Sequence, residues 1–232
     1  MSRLYIGIDD TDILDSPGTG HLAREIAATL AERWPLVGIT RHQLLNDPRV
    51  PMTARNSANV IHLEVGANAL DLNHIADEVA ALMLARFQPG SDPGLCVALD
   101  LPLPAIEFGY RTKTTLVTQE EARRLADTHQ LILRALGGTG GGIIGALAAT
   151  ALASTGEDGR FISVGQIREL RGLQPVEAIT AAGISGVRTL AGQVVSSGLI
   201  ETADKIRPAL IGGEAVLLVE PNGEQWRAVR RD

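Results

Sequence analysis

The stretch RLYIGIDD (3–10) followed by TDILDSPGTGHLARE (11–25) decides the reading of the fold. Its first six residues form a continuous apolar run suited to a strand buried in a sheet. The run stops at Asp9 and Asp10, and Asp12 follows within the same turn. After a Pro/Gly/Ser/Thr segment, Leu22, Ile26, Leu30 and Trp34 recur every fourth residue, which predicts a helix over 20–34 that Pro35 terminates. Three carboxylates are thus gathered at a strand end, facing a helix start.

Outward from this unit the pattern continues. LVGITRHQLL (36–45) reads as a second strand, and NDPRVPMTARNS (46–57) as a polar loop with two prolines. ANVIHLEV (58–65) alternates Val60, His62 and Glu64 with Ile61, Leu63 and Val65, the period of a strand with one wet face. Residues 69–87 form an amphipathic helix, and GLCVALD (94–100) a fourth apolar strand. The order is βαββαβ, a ferredoxin-like arrangement within an α/β (α+β) chain.

After Pro104 the periodicity changes. Thr118 with Glu121 three residues on is a capping-box signature and predicts a helix over 119–136. A glycine-rich turn, GGTGGG (137–142), then leads into an Ala-rich helix, and 160–232 holds short strand-like pieces with a hairpin turn at Pro221-Asn222-Gly223. The expected division is a nucleotide-binding region, 1–155, and a small α/β region, 156–232.

Composition narrows the function classes. With 232 residues, 45% hydrophobic and 21% charged, the chain is of ordinary globular type. The opening residues reach acidic positions too soon for a signal peptide, and no window approaches a membrane span, so a cytoplasmic location without membrane contact is expected. The single cysteine, Cys96, excludes an internal disulfide and a Cys-rich zinc module and reads as a small buried apolar residue. A net charge of −6 and a pI near 5.4 argue against a general nucleic-acid binder. A local basic groove stays open, with Arg41, Arg49 and Arg55 as one set and Arg227, Arg230 and Arg231 as a second that reads as a solvated tail. Nothing in the sequence speaks against a homo-oligomer.

The acidic turn has two readings. Asp9, Asp10 and Asp12 suit a hard divalent cation such as Mg²⁺, which prefers oxygen ligands and shares them with substrate phosphates. They equally suit turn formation and helix capping. Gly18, Thr19 and Gly20 at the helix start offer backbone N–H groups to a phosphate, and His21 is placed to face it. The second turn contains Gly140-x-Gly142-x-x-Gly145, a formal dinucleotide fingerprint. That match fails in context, because a helix is expected before it and no acidic residue lies on a second strand. There is no Lys-Ser or Lys-Thr for a Walker A loop. Gly140, Gly141 and Gly142 remain either an anion cradle or a packing hinge. Arg55, with Asn56, Ser57 and Asn59, and Arg111 or Lys113 beside Tyr110 could neutralise phosphate or equally belong to solvated loops. His42, His62, His74 and His129 have no ligand spacing and read as surface or half-buried.

Taken together, IGIDDTD, the Gly-Thr helix start, NDPRVPMTARNSANV and GGGIIGALAAT resemble the archaeal tRNA-isoleucine agmatidine synthetase (TiaS) family and its shorter bacterial relatives over roughly residues 4–153. The resemblance implies an ATP-dependent, kinase-like domain in tRNA processing, whose acidic turn handles Mg²⁺ and polyphosphate. It also implies a threonine after the acidic turn that takes part in phosphate transfer to a cytidine, which agmatine then displaces. Alignment places that threonine at Thr19, beside Gly18 and Gly20 where the family has other residues. Family members that modify tRNA carry further nucleic-acid-binding modules, including a zinc ribbon, whereas this sequence has one cysteine and about 80 residues left.

The expectation is therefore a Mg-ATP-dependent, ligase- or kinase-like enzyme activating an unidentified acceptor by phosphoryl or nucleotidyl transfer, with tRNA not favoured as the partner of this chain alone. Thr19 and Asp10 would be catalytic, and Asp9, Asp10 and Asp12 would hold metal. Gly18, Gly20, Arg55, Lys113, Gly140, Gly141 and Gly142 would bind nucleotide. The alternative is a non-catalytic nucleotide-binding or RNA-associated regulatory protein.

Overall fold

The computed structural model describes residues 2–50, 52, 55–66, 70–202 and 204–230. The chain is mixed α/β and divides into two compact units, Met1–Thr155 and Gly156–Asp232.

The first unit runs β1 (Ser2–Asp9), α1 (Thr19–Leu30), β2 (Leu36–Gln43), β3 (Ser57–Val65), α2 (Leu72–Leu84), β4 (Gly94–Ala98), α3 (Leu103–Arg111), α4 (Gln119–His129), β5 (Ile132–Ala135) and α5 (Gly142–Ser154). Its strands pair in the order β5-β4-β1-β3-β2, every neighbour antiparallel. β1 is therefore central, with Ile6 opposite Ile61 of β3 and Val97 of β4. A strand flanked on both sides, with helices over both faces, must be apolar throughout, as YIGI is.

One face of this sheet carries α1 and α2, the other α5 with α3 beyond it. α5 is apolar on all sides and almost wholly buried, as a helix between a sheet and other helices must be. Its approach to β1 is close: a Cβ on Gly7 would lie 2.5 Å from the carbonyl oxygen of Ala146. This contact corrects the expected wet face of β3. Val60 packs with Ala149 and Ala153 of α5, and His62 is fully buried. His42 is fully buried too, and the hydroxyl of Thr40 lies 2.7 Å from Nε2 of each imidazole, so this histidine pair is interior rather than half-exposed. Burial, reinforced by His42 and Arg3, holds the His62 imidazole well below its usual range.

Several element boundaries differ from the sequence reading, among them α2, which spans Leu72–Leu84 rather than 69–87. α1 ends at Leu30 rather than at residue 34. α4 keeps the capping box at Thr118 and Glu121, but Gln130 turns left-handed at φ 54 and ends it, so that 132–135 is an edge strand paired with β4. The glycine turn thus follows a strand. Because β5 is antiparallel to its neighbour, there is still no parallel βαβ unit for a dinucleotide fingerprint. EFGYR belongs to a helix, α3, and not to a solvated turn.

The second unit contains β6 (Arg160–Ser163), β7 (Leu173–Pro175), α6 (Val176–Ala181), β8 (Gly186–Thr189), β9 (Leu199–Glu201), β10 (Ala209–Ile211), β11 (Glu214–Asn222) and β12 (Gln225–Val229). Its strands run β6-β10-β11-β12-β9-β7, with β8 pairing β11 in parallel. Phe161, Ile179, Ile200 and Leu217 lie in its own core. The β11–β12 hairpin turns at Gly223-Glu224, between the paired Asn222 and Gln225, so that Pro221 and Asn222 of the expected turn belong to β11 and Gly223 to the turn itself.

Candidate active site at the acidic turn

β1 ends where Asp10 adopts a left-handed conformation, φ 50, which aspartate tolerates better than most residues. The break sends the three carboxylates to different places. Asp9 lies against α5, so close to Gly145 that a Cβ there would sit 1.8 Å from Asp9 Oδ2. Asp10 receives a hydrogen bond from the backbone N–H of Asp92. Asp12 Oδ1 accepts from the N–H of Thr19 at 3.1 Å and from its hydroxyl at 2.5 Å. Since the N-cap residue Gly18 provides no side-chain cap, Asp12 satisfies an orphan donor of α1 from outside the helix.

The electrostatics follow from this geometry. Burial, then the neighbouring Asp10 charge, pushes the Asp9 carboxyl up to about 7, against the Asp10 N–H and Arg41, which favour ionisation. Burial also raises Asp10, with Asp92 and Asp12 adding to it. Two adjacent carboxyls that resist ionisation are the donor set a hard cation would relieve. Among the described residues no group of three or more His, Cys, Asp or Glu side chains could hold a metal ion. Of the three carboxylates expected to hold metal, Asp12 is engaged by Thr19 at the start of α1, while Asp9 and Asp10 stay adjacent at the end of β1.

A residue that the sequence reading missed organises the second turn. Asp92 Oδ1 accepts from the N–H of Thr139 at 2.8 Å, while Oδ2 accepts from the Thr139 hydroxyl and, at 3.4 Å, from the N–H of Gly141. The Asp92 carbonyl takes the N–H of Gly142 at 3.0 Å. Burial acts to raise the Asp92 carboxyl, but these hydrogen bonds outweigh it and leave Asp92 below its ordinary value. The glycine turn thus already wraps an anion, the protein's own carboxylate. The N–H of Gly140 is likewise used, bonding Gly137 at 3.2 Å.

Both turns open on one cavity of about 270 Å³ in the first unit, near the lower bound for small-molecule pockets. Asp9, Asp10, Asp12, Thr19 and Asp92 form its acidic end, with Gly141 and Gly142 alongside. Leu44, Leu45, Val50, Leu116, Val117 and Ile144 form an apolar wall. Arg55 and Ser57 reach it from the start of β3, and the Ser57 hydroxyl accepts from Arg41 Nε at 2.7 Å. Asn56 also borders it but is clamped to the Leu45 carbonyl at 2.8 Å. Of the expected nucleotide-binding positions, Gly18, Gly20, Lys113 and Gly140 do not line the cavity, nor does Arg111, which is paired with Glu121. His21 turns outward to Glu25 at 3.4 Å. In the loop motif preceding β3, Thr53 and Ala54 lie outside the described residues.

Asp92 and Thr139 carried no local signal, lying 47 positions apart. Thr19 is nearly buried, and its oxygen also accepts from the N–H and hydroxyl of Thr11 at 3.3 and 3.2 Å. The Thr19 hydroxyl therefore donates to Asp12 and accepts from Thr11, which fixes its orientation at the start of α1.

No protein-family model and no curated protein matches the chain. Solved structures do match. One is a complex of TiaS with an isoleucine tRNA and ATP, at a TM-score of 0.56 and 24% identity over 65% of this chain and 36% of that one. The resemblance is to TiaS. A second is a tRNA fluorescent labeling enzyme, with a TM-score of 0.56 and 25% identity over 64% of this chain and 36% of that one. A third is apo TiaS, the isoleucine-tRNA agmatidine synthetase without ligands, with a TM-score of 0.54 and 22% identity over 64% and 35%. The chain spans about a third of the length of these structures, and the likeness shows a shared fold. The resemblance to TiaS read from the motifs is thus met by an independent likeness of structure.

Proposed function

We propose that the first unit binds ATP with Mg²⁺ in the cavity and activates an acceptor by phosphoryl or nucleotidyl transfer. The observation that carries this reading is the convergence of Asp9, Asp10, Thr19 and the Asp92-braced glycine turn on one cavity. TiaS, whose fold is similar, has been solved with ATP and with AMPCPP and agmatine. Asp9 and Asp10 would hold Mg²⁺, which when bound would offset the charge of the polyphosphate. Asp12 orients the Thr19 hydroxyl and is the acceptor for its proton. Arg55 supplies cationic charge at the rim, and the apolar wall shields the reacting groups from water.

The test is a single-turnover assay with ATP labelled at the α or the γ phosphate. Label transfer or release by the parent is expected, with loss in Asp10→Asn and Thr19→Val. Binding without any label release in the parent would leave a nucleotide-binding protein and reject the enzyme.

A further inference from the structure

Of the two expected basic sets, Arg231 lies outside the described residues and Arg55 lines the cavity of the first unit. Arg49 forks onto Asp47 at 2.8 Å through both Nε and Nη2, and Arg227 is held by Glu220. Arg41 is bonded to Ser57. In the second unit, however, a shallow depression is lined by Ile167, Arg168, Arg171, Lys205 and Arg207, without an acidic residue among them. Arg168 and Arg171 come from the turn between β6 and β7, Lys205 and Arg207 from the segment between β9 and β10. Arg168, Arg171 and Lys205 are exposed, and none of the three forms an ion pair among the described residues. The acids adjacent in sequence, Glu169 and Asp204, stay outside the lining.

Cations brought together from two segments repel one another, and an acidic protein has ample carboxylates with which to neutralise them. Arg168, Arg171 and Lys205 thus present like charge at one exposed surface, with only the Leu170 carbonyl, among the described residues, accepting from Arg171, and such a surface complements a polyanion. The depression holds only about 10 Å³, too little for an enclosed small molecule, so the anion must lie across the surface. We infer that Arg168, Arg171 and Lys205, with Arg207 beside them, form a binding surface for the phosphodiester backbone of a nucleic acid. Guanidinium groups suit the forked recognition of phosphate oxygens. The one apolar lining residue, Ile167, is 1% exposed, so the surface has no apolar anchor to place in a membrane.

The experiment measures binding of a fluorescein-labelled RNA hairpin to the full chain by anisotropy, over a series of KCl concentrations. The parent should bind with an affinity that falls as salt rises, each phosphate contact contributing roughly 0.7–0.9 to the log–log slope. Arg168→Gln/Arg171→Gln/Lys205→Gln should lower that slope by about two to three contacts' worth and weaken low-salt binding at least about tenfold. Arg171→Gln alone should remove about one contact's worth, which keeps the test decisive if the triple variant folds poorly. No RNA binding by the parent, or a parental slope in either folded variant, overturns the inference. So does co-sedimentation with phosphatidylserine vesicles that the triple variant abolishes while RNA binding persists. ATP turnover in the first unit is a separate readout, so failure of the cavity reading leaves this result interpretable.

Discussion

Gly145 and Asp9 occupy each other's space. An alanine Cβ at 145 would lie 1.8 Å from Asp9 Oδ2 and 2.7 Å from its carboxyl carbon, so the carboxyl would have to leave its place. Gly145→Ala should therefore lower Mg-ATP affinity as Asp9→Asn does, each by about tenfold, or about 1.4 kcal/mol. Gly141 is the contrast, with an ordinary helical φ of −59 and a Cβ position 3.2 Å from Asp92 Oδ2. Gly141→Ala should retain affinity within about threefold, or about 0.7 kcal/mol. Calorimetric titration of the folded variants checks the set, and normal affinity in Gly145→Ala would uncouple Asp9 from the nucleotide. Cys96 gives a second check on the same helix contact. Burial pushes its thiol up to about 12, against the opposing hydrogen bond of Thr150, so almost no thiolate exists near neutrality. Ellman's reagent should leave the native protein unreacted near neutral pH and titrate the thiol once guanidinium has unfolded the chain. At this scale the sequence showed which carboxylates cluster, since Asp9, Asp10 and Asp12 are neighbours in the chain. It did not show where they point, because the left-handed turn at Asp10 and the helix packed on Asp9 are tertiary facts.

Elements were legible where their signals are local. The Thr118–Glu121 capping box is such a case: the Thr118 hydroxyl accepts from the Glu121 N–H at 3.2 Å, and the Glu121 carboxylate accepts from the Thr118 N–H at 3.0 Å. Thr118→Ala should cost about 1 kcal/mol, read as a lower urea midpoint at unchanged slope. No change would mean that α4 is held by tertiary contacts alone. The far end of α4 was misread because Leu131 and Leu133 continue an apolar pattern while the stop signal is a left-handed glutamine, a residue with no special preference for that conformation. α3 was hidden for a different reason. Its buried positions are Ala105, Phe108 and Gly109, and two of these carry little hydrophobic signal. Their smallness is itself the packing device, since a Cβ on Gly109 would meet the Ala148 carbonyl oxygen at 3.0 Å. The strand order was likewise beyond periodicity, which identifies strands but not their partners.

At the scale of the whole molecule, charge and cores are distributed unevenly. A net charge of −6 coexists with an acid-free cationic depression in the second unit, so the global balance was a poor guide to local surface chemistry. Among the described residues, the cavity proposed for ATP is lined only by residues of the first unit. The second unit has its own apolar core, in which Leu217 is fully buried on β11 and pairs with Val187 of β8. Leu217→Ala removes buried methyl groups and leaves a cavity, and should destabilise that core by about 2–5 kcal/mol. Its effect on the first unit's chemistry should be nil. The measurement pairs thermal unfolding with Mg-ATP titration at a temperature well below the transition. The expected outcome is an earlier transition with parental affinity. A folded Leu217→Ala variant that binds Mg-ATP several-fold more weakly would show that the second unit shapes the cavity, and that the first unit's residues do not suffice to form the site.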